Sequence, residues 1–390
     1  MKKLILTTIG LLYVSSFSVA AVSVPNPPEL SAKGYVLMDY HSEVVIAEQN
    51  GRAGLAPASL TKLMTAYVVG QEIIAERLNW EDKVTVGVNA WSQKFPDSSK
   101  MFIKPKDEIS VSNLMRGVIV QSGNDACVAL AEHVAGSEAA FVSLMNEWAD
   151  SLGMYDTRFI NSHGLDAEGI QTSPRDMAIL MKNIIEDVPD VYELYSEKEF
   201  TWNDIKQYNR NSLLWDNAIN VDGGKTGYTS NAGYSLVSSA IDGDTRLISV
   251  VMGTESKNAR IGQSKNLLSY GFRFYTTQKI ADAGQVESMV RVWKGDQSEI
   301  EAGFPQDAYI TLPRSQTKGL ERSVVIEEPL MAPVKLGQKV GEIVWTKENE
   351  VVARYPIVSG QAVEEGNWFS KIWDSAILWF KGLFSSFLSS

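Results

Sequence analysis

The strongest constraint on this fold is a change of pattern near residue 284. Upstream, strand-like and helix-like segments are mixed. Downstream the helical period is gone, and short alternating strands punctuated by Gly and Pro run to about residue 363. Such a chain builds a mixed α/β unit followed by a small all-β domain of about 80 residues. In the first unit, 34–40 and 43–47 read as a hairpin turning at His41-Ser42. Segments 59–71 and 125–134 read as helices, while 236–240 and 246–252 read as strands joined by Asp242-Gly243-Asp244. In the second, strands are expected at 290–293, 308–312, 323–326, 341–345 and 351–354.

Both ends carry addressing signals. Lys2 and Lys3 precede an apolar run through Val14 that closes on Ser18-Val19-Ala20. A charged start, a short apolar core and a small-x-small cleavage site describe an export leader over residues 1–20. That core falls short of the roughly 20 apolar residues that span a bilayer. At the other end, Trp368, Phe369, Ile372, Trp373, Ile377, Trp379, Phe380, Leu383, Phe384, Phe387 and Leu388 cover an arc of about 200° on a helical wheel. Ser370, Lys371, Asp374, Lys381 and Ser385 fill the remainder, with Leu378 the one large apolar residue on the polar side. A helix with charges along one stripe lies in a membrane interface rather than crossing it. The competing reading is a helix that covers a groove of the protein itself.

Composition narrows the chemistry. Asp and Glu outnumber Lys and Arg by 47 to 36, a net charge of −11. Phosphate neutralisation favours the opposite balance, so no nucleic-acid partner is expected. A single cysteine, Cys127, excludes an intrachain disulfide, a zinc ribbon or an iron–sulfur site, and reads as a packed thiol. With three histidines, a metal site would have to be carboxylate-dominated; no metal or other cofactor is implied.

Three short motifs point to nucleophilic catalysis. Ser59-Leu60-Thr61-Lys62 puts a hydroxyl and an amine side by side at a helix start. An amine kept neutral by burial and a nearby positive charge can take the serine proton. Ser122-Gly123-Asn124 opens the next helix with a hydroxyl and an amide. Gly223-Gly224-Lys225-Thr226-Gly227-Tyr228 has small residues that would let an extended substrate approach a strand edge. Each motif alone is weak, because Ser315–Lys318 and Ser256–Asn258 repeat the first two by chance.

Ser-x-x-Lys, Ser-x-Asn and Lys-Thr-Gly in that order resemble the signature of penicillin-recognising serine enzymes. Gly123 between Ser122 and Asn124 resembles the low-molecular-weight D-alanyl-D-alanine carboxypeptidases of the penicillin-binding protein 5/6 type. So do Pro57–Lys62, Gln121–Cys127, His163–Asp166 and Asn211–Asn217, and the likeness runs from about Gly34 to the C-terminus. The resemblance implies a serine β-lactamase/transpeptidase-like α/β (α+β) domain with an antiparallel sheet flanked by helices. The expected division is a leader at 1–20, the catalytic domain at 21–280, the β-rich domain at 281–363 and an amphipathic anchor at 364–390.

The resemblance also implies roles. Ser59 is the acylated nucleophile, Lys62 its base, and Ser122 the relay to the departing amine. Lys225 keeps Lys62 neutral, Asn124 holds the substrate amide, and Thr226 with Arg260 clamps the terminal carboxylate beside Gly227. Backbone N–H groups of Ser59 and Tyr228 form the oxyanion hole, with Tyr228 standing where a relative has His. Implied partners are peptidoglycan stems ending in D-Ala-D-Ala, β-lactam antibiotics, and the membrane surface at the periplasmic face of a bacterial inner membrane. Two other functions compete. A serine β-lactamase on this scaffold would use a Glu-x-x-Leu-Asn stretch, which does not occur between Asn124 and Lys225. A non-catalytic wall scaffold would have no need of the intact motifs. A Ser/His/Asp triad through His163 and Asp166 is disfavoured, because Lys62 already supplies a base and Ser162-His163-Gly164 reads as a turn.

Overall fold

Alternating residues of one strand divide the catalytic unit into two cores. Val36 and Met38 of strand Gly34–Asp39 face one layer of helices, while Tyr35 and Leu37 face another, as the two-residue period of a strand requires. The strand lies in a five-stranded antiparallel sheet ordered Val45–Gln49, Gly34–Asp39, Thr245–Thr254, Gly233–Asp242, Val221–Thr229. On the first face, Val237, Ile248 and Val250 pack with helices that include Thr61–Ile74, Asn124–Ala135 and Pro174–Asp187. On the second, Leu236, Leu247 and Val251 pack against Leu267 and Leu268 of helix Lys257–Phe274. The computed structural model describes residues 24–327 and 329–388, the last seven of these by backbone alone; the expected leader lies outside them.

The expected hairpin forms, with the Asp39 carboxylate accepting from both the N–H and the hydroxyl of Ser42 at 2.8 Å. Both expected helices and the strand pair around Gly243 are present, each longer than its sequence signal. Unforeseen is the hairpin Glu199–Trp202 with Ile205–Tyr208, whose exposed strands mix charged and aromatic residues.

The second unit holds a five-stranded antiparallel sheet ordered Val286–Arg291, Glu299–Gly303, Glu350–Ser359, Lys339–Lys347, Glu321–Ile326, closed over Val290, Ile300, Val340, Ile343 and Ile357. Glu299–Gly303 was not expected as a strand; its Glu-Ile-Glu-Ala-Gly sequence carries one large apolar residue. Strand Tyr275–Ala281 continues directly from the preceding helix and pairs with Ala308–Pro313. This pair joins the two units. Thr277 donates to Asp39 at 2.5 Å, Ser42 donates to Thr311 at 2.6 Å, and His41 stacks on Tyr309 with centroids 4.2 Å apart.

The terminal helix, Trp368–Leu388, turns its polar stripe toward the β domain. Asp374, 6% exposed, accepts from Arg291 at 3.1 Å and from the Lys294 N–H at 2.6 Å, and Lys381 lies over the Trp293 ring. Leu378, one turn beyond Asp374, is half-buried. Trp368, Phe369, Trp373, Trp379 and Phe380 are all exposed. Over residues 368–381 the helix therefore docks on protein through its charges and offers its large aromatic residues outward. No single helix among the described residues is long and apolar enough to cross a membrane.

Candidate active site

Ser59 sits on a strained turn. It lies in the short 3-10 segment Ala58–Leu60 that leads into helix Thr61–Ile74, and Ala58 has φ +47°, where residues with a Cβ rarely go. Two glycines hold the turn. Gly164 has φ +87°, and a Cβ there would stand 1.8 Å from the Ala58 carbonyl oxygen. A Cβ on Gly227 would meet the Pro57 carbonyl oxygen at 3.0 Å. The glycine of the Lys-Thr-Gly motif thus makes room for the serine turn, not only for a ligand at the strand edge.

Lys62 follows one turn later and is fully buried. Its Nζ donates to Ser59 Oγ at 3.1 Å, to Asn124 Oδ1 at 2.7 Å and to the His163 carbonyl at 2.5 Å. All three acceptors are neutral, so nothing compensates a buried ammonium fully. Burial pulls the amine from its ordinary 10.5 down to about 8; the Arg210 guanidinium pushes the same way, with Asp125 opposing. Lys225, on strand Val221–Thr229, is 3% exposed and donates to Ser122 Oγ at 2.9 Å. Burial again lowers its affinity for a proton well below the usual range, and Lys62 adds to the effect. Burial, ahead of any neighbouring cation, is thus the leading cause at Lys62, and Arg210 is a cation the sequence reading did not single out.

Asn124 opens helix Asn124–Ala135 and spans the site. It accepts from Lys62 and donates through Nδ2 to Ser98 Oγ at 3.0 Å. Its neighbour Asp125 gathers the N–H groups of Met101, Phe102 and Ile103, tying the facing loop to this helix. Ser122, at φ +59°, points its hydroxyl at Lys225.

His163 enters through its backbone. Its imidazole Nδ1 accepts from the Leu165 N–H, Nε2 lies 3.7 Å from Glu138, and burial, with Lys62 second, depresses it to about 3. A neutral ring so engaged leaves proton transfer to Lys62. Asp166 accepts from Thr229 at 2.9 Å. Cys127 is buried and donates to the Gly123 carbonyl at 3.2 Å.

Arg260 stands in the first turn of helix Lys257–Phe274, a segment the sequence reads as loop-like; Ser256 caps it by accepting from the Ala259 N–H. Arg260 is 5% exposed, and burial lowers it to about 10. One nitrogen donates to the Gly227 carbonyl at a long 3.4 Å, and Nε has no partner among the described residues. Ser59, Asn124, Arg210, Thr226, Tyr228 and Arg260 line one cleft of about 650 Å³. Arg210 and Tyr234 both line that cleft, and the sequence reading singled out neither. Arg210 sits in an unremarkable loop, bonded to Ser99 Oγ and the Gln121 carbonyl. Tyr234 lies on the strand beside Lys225 and stacks against Tyr228. Neither carries a motif: strand pairing brings in Tyr234, and the hydrogen bonds of a loop to Ser99 and Gln121 bring in Arg210.

Comparison with known proteins points to one family. The profile of a family described as D-alanyl-D-alanine carboxypeptidase matches residues 20–256, and that of the penicillin-binding protein 5 C-terminal domain matches 275–365. D-alanyl-D-alanine carboxypeptidase DacC of Escherichia coli is 46% identical over 374 residues, covering 95% of this chain and 94% of its own. The crystal structure of penicillin-binding protein 5 from Haemophilus influenzae superposes with a TM-score of 0.84 at 44% identity, covering 87% of this chain and all of that one. Penicillin-binding protein D2 from Listeria monocytogenes, solved in its ampicillin-bound form, matches 64% of this chain and 99% of its own at 30% identity and a TM-score of 0.57. The family model over residues 20–256 and the identity to relatives along nearly the whole chain show that this chain belongs to the D-alanyl-D-alanine carboxypeptidase family.

Proposed function

We propose that the protein removes the terminal D-alanine from peptidoglycan stems ending in D-Ala-D-Ala, through an acyl-enzyme on Ser59. The observation that carries this reading is the fully buried Lys62 amine, with lowered proton affinity, 3.1 Å from Ser59 Oγ. Neutral Lys62 takes the hydroxyl proton as Ser59 Oγ attacks the carbonyl carbon of the penultimate residue. The N–H groups of Ser59 and Tyr228 receive the developing oxyanion, each worth about 3 kcal/mol. The C–N bond then breaks as the proton taken by Lys62 is relayed through Ser122, hydrogen-bonded to Lys225, to the departing amine, which leaves Lys62 neutral again. Water, with Lys62 again as base, hydrolyses the ester. Asn124 holds the substrate amide, while Thr226 and Arg260 take the terminal carboxylate beside Gly227. Incubation with a D-Ala-D-Ala tripeptide should release free D-alanine, and Ser59→Ala should abolish release; equal release from both sinks the reading.

The same site would open a β-lactam ring onto Ser59 and hold the product, in keeping with the ampicillin-bound relative. We also read residues 1–20 as a leader, 21–280 as the catalytic domain and 281–363 as a β-rich spacer. Residues 364–390 would rest on the outer face of the cytoplasmic membrane, supported by the exposed Trp and Phe face.

A further inference from the structure

Tyr228 has a side chain more ordered than a contribution through its backbone requires. Tyr228 and Tyr234 are direct partners across adjoining strands, and their rings stack at 4.2 Å and 27°. The Arg260 guanidinium lies 5.7 Å from the Tyr234 ring centroid. All three residues line the cleft. Arg260 is almost wholly buried, yet among the described residues its side chain makes one long hydrogen bond and its Nε finds no partner. A guanidinium so sparsely bonded is not fixed by hydrogen bonds, and an aromatic face supplies the attraction that they do not. Tyr228, 52% exposed, is the outer half of the stack and holds Tyr234 from the solvent side.

We infer that Tyr234, braced by Tyr228, is the positioning residue for Arg260, and that this stack sets the enzyme's selectivity for substrates ending in a free carboxylate. The inference rests on the proposed role of Arg260. Its consequence is a specificity ratio: kcat/KM for a D-Ala-D-Ala peptide with a free carboxylate, divided by that for the same peptide ending in a primary amide. Loss of the ring face should lower this ratio about threefold to thirtyfold, as expected for a desolvated cation–π contact.

The test measures this ratio in wild type, Tyr234→Leu, Tyr234→Phe and Tyr228→Ala. Tyr234→Leu should raise KM for the acid with little change in kcat, leaving the amide within about twofold of wild type. Tyr234→Phe should keep the wild-type ratio, since the ring and not the hydroxyl faces Arg260. Tyr228→Ala, at an exposed position that folding tolerates, should give a smaller drop in the same direction. An unchanged ratio in both Tyr234→Leu and Tyr228→Ala, or equal slowing of acid and amide, overturns the inference while the carboxypeptidase reading stands. No D-alanine release by the wild type overturns both.

Discussion

The Lys225 amine donates to the Ser122 hydroxyl at 2.9 Å across 103 residues of sequence, a second amine–hydroxyl pair beside that of Lys62 and Ser59. Both amines are buried, and protonating one makes protonating the other harder. Two lysines in one desolvated site cannot both stay charged cheaply, which is what an amine acting as a base at neutral pH requires.

The pH dependence of acylation follows. In the proposed mechanism Lys62 reacts as the neutral amine, and burial lowers it to about 8. The rate constant for acylation should fall about tenfold per pH unit below roughly 8 and level off above it. A profile flat from pH 6 to 9 would show that Lys62 is not the base.

The same shift couples to stability. A lysine whose folded value lies below its unfolded 10.5 destabilises the folded state fully below pH 8, by about 3 kcal/mol. The penalty is relieved as pH rises from 8 toward 10.5. Denaturant unfolding should therefore show wild type gaining stability relative to Lys62→Met across that window. Parallel curves for the two proteins refute the assignment.

Gly164→Ala tests the brace behind the serine. The added methyl would overlap the Ala58 carbonyl at 1.8 Å on a backbone with φ +87°. The expected cost is about 2–4 kcal/mol, a fall in Tm of about 10 °C for a unit of this size. Labelling of Ser59 by a fluorescent penicillin should slow at least a hundredfold, and wild-type labelling would show that the turn does not need this glycine.

Cys127 should be inert. Burial pushes its thiol up to about 12, and its Sγ donates to the Gly123 carbonyl. Native protein should bind no thiol reagent over an hour and lose no activity to iodoacetamide, whereas urea-unfolded protein should titrate one thiol. Rapid native labelling contradicts the packed environment.

Deletion of residues 367–390 should abolish cosedimentation with anionic lipid vesicles and leave D-alanine release unchanged. Asp374→Ala should loosen the helix from the β domain, seen as faster amide exchange, yet keep vesicle binding, because Asp374 faces Arg291 and Lys294 and not the exposed aromatic face. Unaltered vesicle binding after the deletion removes the case for the tail as an anchor.

Much of the architecture was legible because local pattern dictates it. The change at residue 284 separated two units, and the alternation in Gly34–Asp39 reflects a strand with an apolar layer on each face. Strand Glu299–Gly303 escaped because backbone pairing, not an apolar run, makes it a strand. The tail's amphipathic arc was visible, but the direction of its polar stripe was not, since Arg291 and Lys294 lie more than 70 residues upstream.

Residue types and their spacing were enough to name the chemistry: a serine one helical turn from a lysine, with Ser-x-Asn and Lys-Thr-Gly following in order. Spacing along a chain cannot desolvate an amine. Only the folded sheet and helices bury Lys62 between Asn124 and the His163 carbonyl with Arg210 nearby, and it is that burial, with Arg210 adding to it, that lowers its affinity for a proton. The Tyr228–Tyr234–Arg260 stack likewise exists only once two strands pair in register and a helix closes over them, because aromatic and cationic contacts depend on distances that sequence order does not encode.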